Sequence, residues 1–476
     1  MGRLIVISNR VSAPKPRSAE GAQGGLAVAL LAALRESRGL WFGWSGRRTE
    51  TYSGQIHFER EDGVTTATVD LEEHDVDEYY NGYANRTLWP LFHYRIDLAE
   101  FDRTFGAGYE RVNERFATTF APLIEPDDLV WVHDYHLIPL GQQLRQRGLA
   151  NRIGFFLHIP WPPQRLMVSL PYHQRLVRSM LDYDLIGFQT EEWLESFHHY
   201  VERELGGTIE ADGTIDVDGR RVKTAAFPIG IDVKEFEAVL DRQDARNAYE
   251  TLHRSAEGRK VIIGVDRLDY SKGLAERFNG YRRFLEEHPD WLGRVSFLQI
   301  APPTREEVYT YEHIRAQLDE LSGRINGAFA HDDGVPIRYV NQGYPRDGLS
   351  GFYRAADVAL ITPLRDGMNL VAKEYVASQD PDDPGVLILS RFAGAAHQLR
   401  EALLVNPYSK DEISDAIRRA LDMPRAERIR RWEALIDNVR REDVLHWRRS
   451  FVNALERTRP ANAPPVLALD EAAPIR

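Results

Sequence analysis

The 476-residue sequence contains no cysteine. Disulfides, thiolate nucleophiles and Cys-ligated metals are therefore excluded, and the composition fits a reducing compartment. Long apolar runs are missing as well. The longest, residues 26–34, falls far short of the roughly 20 residues needed to cross a bilayer. The chain begins directly on a β-type run, Leu4 to Ser8, without a signal-peptide core, and Val6 stands where an N-myristoylation motif needs Ser or Thr. Positive charge is not in excess: 60 Lys and Arg face 72 Asp and Glu, and the net charge of −12 argues against wholesale nucleic-acid binding. The absences together predict a cytoplasmic protein with neither nucleic-acid nor membrane partners; a homo-oligomer stays open. Hydrophobic residues make up 43%, which supplies enough apolar mass for more than one core, and a chain of this length is expected to form two or three domains.

Continuous apolar runs ending in polar residues recur along the chain. Leu129–Val132 leads into His133, Asp134, Tyr135 and His136; Ile153–Leu157 leads into His158, Ile159 and Pro160. Val261–Val265 leads into Asp266, Arg267, Leu268, Asp269, Tyr270, Ser271, Lys272 and Gly273, and Val295–Ile300 leads into a turn containing Arg305. Apolar strands of this kind belong to parallel sheets covered by helices on both faces, so an α/β fold with two Rossmann-like, doubly wound domains facing across a cleft is predicted.

The most informative of these stretches follows Val358–Ile361 and reads TPLRDGMNLVAKE, Thr362 to Glu374. Ligands of doubly wound sheets sit outside the carboxyl ends of the strands, where the next helix offers unpaired N–H groups and a positive dipole end. Glu374, a turn into that helix, is placed to accept hydrogen bonds from sugar hydroxyls. A phosphate-linked sugar is the ligand class that results; a plain strand-to-helix loop with capping residues is the alternative. Arg10, Arg267, Lys272, Arg305 and Arg365 all fall in strand-end turns and would focus positive potential on anionic substrates.

Between these elements, residues 46–103 read as an irregular, charged and aromatic insert, residues 206–221 as a surface hairpin, and Phe227 to Asp232 as the hinge into the second half. Helical patterns are expected at Leu26 to Arg35, Leu137 to Arg147 and Lys410 to Thr458. The expected division is 1–232, 233–445, a helix at 446–458 returning toward the first domain, and a disordered tail at 459–476. His133, His136, His158 and Asp134 could form a metal site, but they lack a helical His-x-x-x-His register. The pairs Asp75/Asp77, Asp182/Asp184 and Asp216/Asp218 are too common in context to signal an ion. Trp41 and Trp44 read equally as core or as substrate contacts, Arg365 as a brace for its loop, and the Arg-rich stretch 425–441 as a solvated helix face.

Taken with Ser8-Asn9-Arg10, Gly24-Gly25-Leu26, Trp41 to Gly46, Asp77 to Asn81, Leu88-Trp89-Pro90 and His93-Tyr94-Arg95, these motifs make the chain resemble the trehalose-6-phosphate synthases, retaining glycosyltransferases of GT-B architecture. The resemblance runs from Arg3 to about Thr458. It implies a first domain for glucose 6-phosphate and a second for a nucleotide sugar, UDP-glucose by family, with ADP- and GDP-glucose left open by the residues. On the donor side it implies Arg267 and Lys272 on the diphosphate and Glu374 on the ribose. It also implies the Leu370 and Val371 amides on phosphate oxygens, Asp366 with Gly367, Met368 and Asn369 around the glucose, the Tyr344 backbone at the base, and Gly24-Gly25 closing over the donor. On the acceptor side it implies Arg10, Tyr80 and Arg305 on the phosphate and Asp134 on sugar hydroxyls, with Trp89 and Ile159 setting anomer selectivity. Catalysis would fall to Asp134, His158, Arg267, Lys272 and Asp366, with no cofactor and no metal, because fixed cations can stabilise the departing diphosphate.

Retention has two routes. A double displacement needs two carboxylates about 5 Å apart; the resemblance favours a same-face displacement in which the leaving phosphate oxygen takes the acceptor proton. A glycogen-synthase-like or sucrose-phosphate-synthase-like transferase, or a silent sugar-phosphate sensor, is the alternative reading. No Asp-x-Asp-x-Thr phosphatase signature follows.

Overall fold

The computed structural model describes residues 2–11, 30, 34, 39–61, 63–304, 309–330 and 334–458. The expected helix at Leu26 to Arg35, apart from Leu30 and Leu34, and the expected tail at 459–476 lie outside the described residues.

Two sheets organise the chain. The first is built from β1 (Leu4–Arg10), β2 (Leu40–Thr49), β3 (His57–Glu61), β4 (Val64–Glu72), β5 (Leu129–His133), β6 (Ile153–Phe156), β7 (Leu185–Phe188), β8 (Thr208–Ile209), β9 (Thr214–Val217) and β10 (Arg220–Ala226). Its order is β3-β4-β2-β1-β5-β6-β7-β10-β9-β8. The inner pairs are parallel and the edge hairpins antiparallel. The second sheet is parallel throughout, in the order β13-β12-β11-β14-β15-β16, from β11 (Lys260–Val265), β12 (Val295–Ile300), β13 (Ile337–Val340), β14 (Val358–Ile361), β15 (Val386–Ser390) and β16 (Leu403–Val405). Most inner strands are buried along their whole length, as sheets covered on both faces require.

The stretch 46–103 differs from its expected irregularity. It completes β2, supplies β3 and β4, and continues as a π-helix over Val76–Leu88. The alternating, β-branched VTTATVDLE of β4 buries one face beside β2, which is a strand pattern the surrounding charge obscured. The hairpin at 206–221 forms as expected, with Gly213 and Gly219 in the positive-φ region.

Residues 227–231 cross from one sheet to the other, and the chain crosses back at Glu442 and Asp443 into the helix Val444–Glu456. That helix places Phe451 flat on Trp131 of β5, with centroids 4.5 Å apart, and Trp447 4.8 Å from the same ring. One buried apolar cluster consequently includes Trp131 and Phe156 from the first sheet together with Ile263 and Leu389 from the second. Among the described residues no helix is long and apolar enough to cross a membrane.

Candidate functional site

The carboxyl ends of β11 and β14 meet in one knot of loops. Asp269 caps the short turn Tyr270–Lys272 by accepting the Ser271 N–H at 2.9 Å, and the Leu364 N–H donates to the Ser271 carbonyl at 2.8 Å. Lys272 Nζ then donates to Asp366 Oδ2 at 2.5 Å, and Asn369 Nδ2 to the same oxygen at 3.1 Å. Burial pushes the Asp366 carboxyl up, but Lys272 more than reverses this and holds it below the usual carboxylate range, so it is ionised. Asn369, at φ 79°, caps the helix Leu370–Ala377 through its side-chain oxygen on the Ala372 N–H. The remaining N–H groups of the first turn have no carbonyl partner within the helix, as at any helix start. Met368 is buried, and its carbonyl accepts the Ala395 N–H at 2.8 Å. Glu374 lies one turn in, 3.5 Å from the Tyr353 hydroxyl, and burial pushes its carboxyl up. Tyr344 packs edge-on against Phe352.

Behind this knot lies a residue that the sequence reading missed. Arg277, fully buried, donates to Thr362 Oγ1 at 3.0 Å, Gln299 Oε1 at 2.9 Å and the Lys272 carbonyl at 3.4 Å, and pairs with Asp266 at 2.7 Å. It ties together the ends of β11, β12 and β14. Its signal was an arginine in a buried helical stripe with Leu274, Phe278 and Tyr281, where a charge needs internal partners.

On the first sheet, Arg10 at the end of β1 lies over Trp44, whose ring is 5.7 Å from Tyr80, and Tyr80 in turn stacks on His136. Asp134 follows β5 at φ 74°, a conformation L-residues rarely adopt, and accepts the His158 N–H at 3.2 Å. Trp41 is core, its indole N–H on Ser8 Oγ at 2.8 Å. Ile159 and Trp89 are buried, and Trp89 lies against His93.

The two halves touch where the site residues gather. The exposed Arg267 places its guanidinium over Trp89, and Arg365 is sandwiched between Tyr94 at 4.2 Å and Phe392 at 4.7 Å, so it braces both lobes and not its own loop alone. Gly367 lies so close to the other sheet that a Cβ would stand 1.9 Å from the His158 carbonyl oxygen. Gly24, Gly25 and Arg305 lie outside the described residues.

His133 Nδ1 and His158 Nε2 are hydrogen-bonded to each other at 3.0 Å, so these two ring nitrogens already have a partner. Among the described residues the cluster with ligand-like spacing is Glu72, His74 and Asp75, and Arg115 already pairs with both of its carboxylates. The aspartate pairs are likewise taken up structurally: Asp184 by Arg145, Asp182 by Arg220, Asp218 by Arg178.

Burial keeps three of these imidazoles neutral, with His93 lowered to about 4, His158 to about 3 and His133 well below its ordinary value. Unfolded, each would ionise near pH ~6.5. Their contribution to stability is therefore fully present above that pH and is lost progressively as pH falls from there through the folded-state values. The unfolding free energy from urea titration is expected to fall from about pH 6.5 toward pH 4, by up to about 1.4 kcal/mol per pH unit for each histidine. His93→Gln should reduce that slope by about one proton.

A family model described as Glycosyltransferase family 20 matches residues 2–457. A trehalose-6-phosphate synthase of Sinorhizobium fredii is 49% identical over 457 residues, covering 96% of this chain and 98% of the relative. Among solved structures, a UDP-forming alpha,alpha-trehalose-phosphate synthase of Burkholderia xenovorans in complex with glucose-6-phosphate aligns with TM-score 0.92 at 48% identity, over 96% of this chain and all of that one. An E. coli counterpart bound with UDP-2-fluoro glucose aligns with TM-score 0.91 at 43% identity, over 96% and 100% of the two chains. With near-complete coverage by the family model and relatives close to half identical, the chain belongs to glycosyltransferase family 20.

Proposed function

We propose that this protein transfers glucose from UDP-glucose to glucose 6-phosphate with retention, releasing UDP and α,α-trehalose 6-phosphate. The observation that carries the reading is the meeting of Lys272, Asp366 and the Asn369-capped helix of the second sheet with the His158 backbone of the first. The relatives' ligands give the same pair of substrates: glucose-6-phosphate in the Burkholderia protein and a UDP-glucose analogue in the E. coli one.

In this reading Arg267 and Lys272 neutralise the diphosphate, and the Leu370 and Val371 N–H groups hold its oxygens. Glu374 takes the ribose, the Tyr344 backbone the base, and Asp366 with Gly367, Met368 and Asn369 the glucose; Gly24 and Gly25 close over the donor. Arg10, Tyr80 and Arg305 bind the acceptor phosphate, Asp134 its hydroxyls, and Trp89 and Ile159 shape the choice of anomer. The bond from the glucose anomeric carbon to phosphate breaks, the acceptor oxygen attacks the same face, and its proton passes to the leaving phosphate oxygen. The side chains favour this over a double displacement: Asp366 is bound to Lys272 and Asn369, Asp134 accepts the His158 N–H, and the neutral His158 holds no acidic proton to give. Because Lys272 and Arg267 supply the positive charge, chelators should leave the rate unchanged. The cysteine-free composition supports a cytoplasmic setting.

The test is a panel of UDP-, ADP- and GDP-glucose with glucose 6-phosphate as acceptor, with the product identified by NMR. Formation of the α,α-linked disaccharide phosphate supports the reading, and no transfer from any donor would end it. Arg10→Ala is expected to raise KM for glucose 6-phosphate about tenfold while leaving donor KM within about twofold. Initial-rate kinetics with each substrate varied in turn check this.

A further inference from the structure

Ile229, in the crossing between the sheets, is held at both edges of its backbone. Its N–H donates to Gln189 Oε1 at 3.0 Å, and its carbonyl accepts from Lys373 Nζ at 2.6 Å. Gln189 follows β7 of the first sheet, and Lys373 stands beside Glu374 in the helix Leu370–Ala377 of the second. Both side chains are almost wholly buried. Lys373 Nζ also donates to Gln398 Oε1 at 2.7 Å, and Gln398 Nε2 donates to Glu442 Oε2 at 3.0 Å, where the chain crosses back. The two crossings are in contact: Val444 N–H donates to the Ile231 carbonyl at 3.1 Å, and a Cβ on Gly230 would stand 2.1 Å from the Glu442 carbonyl oxygen.

The bond to Ile229 dictates the hydrogens further along. A backbone N–H can only donate, so the Gln189 carbonyl oxygen faces Ile229 and its NH2 group faces His158 Nδ1, 3.3 Å away. His158 Nδ1 must accept. A neutral imidazole then carries its proton on Nε2, which donates to His133 Nδ1 at 3.0 Å and leaves the His133 proton on its own Nε2. We propose that Gln189 and Lys373 are positioning residues that hold the N–H and the carbonyl of Ile229, one on each of its two flanking peptide groups, so that the setting of the two sheets fixes the tautomer and ring orientation of His158 at the cleft. His158 is thereby joined to the donor helix through Gln189 and the backbone of one residue, without direct side-chain contact.

The inference depends on the transferase reading only for its kinetic consequence. The full-length protein labelled with 15N-histidine is examined by long-range 1H–15N NMR at pH 7 without substrates, and the His158 signals are assigned by their loss in His158→Gln. The wild type is expected to show His158 protonated on Nε2 alone. In Gln189→Glu, the carboxylate still accepts from Ile229 but presents an acceptor to Nδ1. The His158 proton is then expected to move to Nδ1, or a second proton to be bound there, with kcat falling about five- to tenfold and KM for glucose 6-phosphate within about twofold of wild type. A wild-type His158 protonated on Nδ1 overturns the inference, and so does a Gln189→Glu protein whose His158 signature is unchanged, whatever its rate. If Gln189→Glu does not fold, the wild-type spectrum decides alone. Failure of the transferase reading would appear separately, as absent turnover with the tautomer signature intact.

Discussion

Replacing Lys272 by alanine is expected to lower kcat/KM for the nucleotide-glucose donor by about a hundred- to a thousandfold. Loss of one charge-assisted phosphate contact accounts for about ten- to a hundredfold of this, or roughly 1.5 to 3 kcal/mol. The remainder comes from Asp366. With Lys272 gone, a carboxylate that Nζ neutralises at 2.5 Å would face the departing diphosphate unpaired, raising the energy of the state in which negative charge develops. Lys272→Arg should recover little, because a planar fork does not fit a place shaped for a compact ammonium. Initial rates with varied donor at saturating acceptor, together with donor affinity by calorimetry, measure both parts. A Lys272→Ala protein within about twofold of wild type in both would remove Lys272 from the diphosphate site.

Arg277→Met is expected to cost about 3 to 5 kcal/mol of stability, because it leaves Asp266 buried without its cation. Burial already pushes the Asp266 carboxyl up despite the arginine beside it. The same substitution unties Gln299, Thr362 and the Lys272 carbonyl, so donor affinity should fall as well. The double variant Asp266→Leu/Arg277→Met should regain most of the lost stability, since apolar groups can replace a buried ion pair at little net cost, but it should not regain donor affinity. Calorimetric unfolding of the wild type, the two single variants and the double variant gives the coupling. A loss below about 1 kcal/mol in Arg277→Met would show that the buried guanidinium is dispensable.

Much of the fold was legible because parallel strands leave a plain mark. Runs such as Val261–Val265 and Val358–Ile361 are apolar throughout since both faces are covered, and the polar residue ending each run marks where ligands can approach. Asp134, His158, Arg267, Lys272 and Asp366 all stand in the stretches that this rule singles out. Gln189 obeys it too, directly after Phe188, but a lone amide carries no charge to attract notice. The insert at 46–103 misled for the opposite reason: its charges and aromatics hid an ordinary alternating strand in β4 and a helical segment whose π register departs from the usual period. Arg277 and Lys373 were passed over because a basic residue in a helix is normally a solvated one. Only their apolar neighbours, Leu274 and Phe278 for one and Ala372 and Tyr375 for the other, hinted at burial.

By itself the sequence determined the α/β class, the strand ends that carry chemistry and the family, because these depend on local apolar pattern and on short motifs read within one segment. Which of those ends face one another was decided by the tertiary structure. The approach of Gly367 to the His158 carbonyl, the grip of Arg277 on three strand ends and the two-sided hold on Ile229 all join residues tens to more than two hundred positions apart. Such contacts are set by how two twisted sheets and their covering helices settle against each other, and no local stretch of chain encodes that distance.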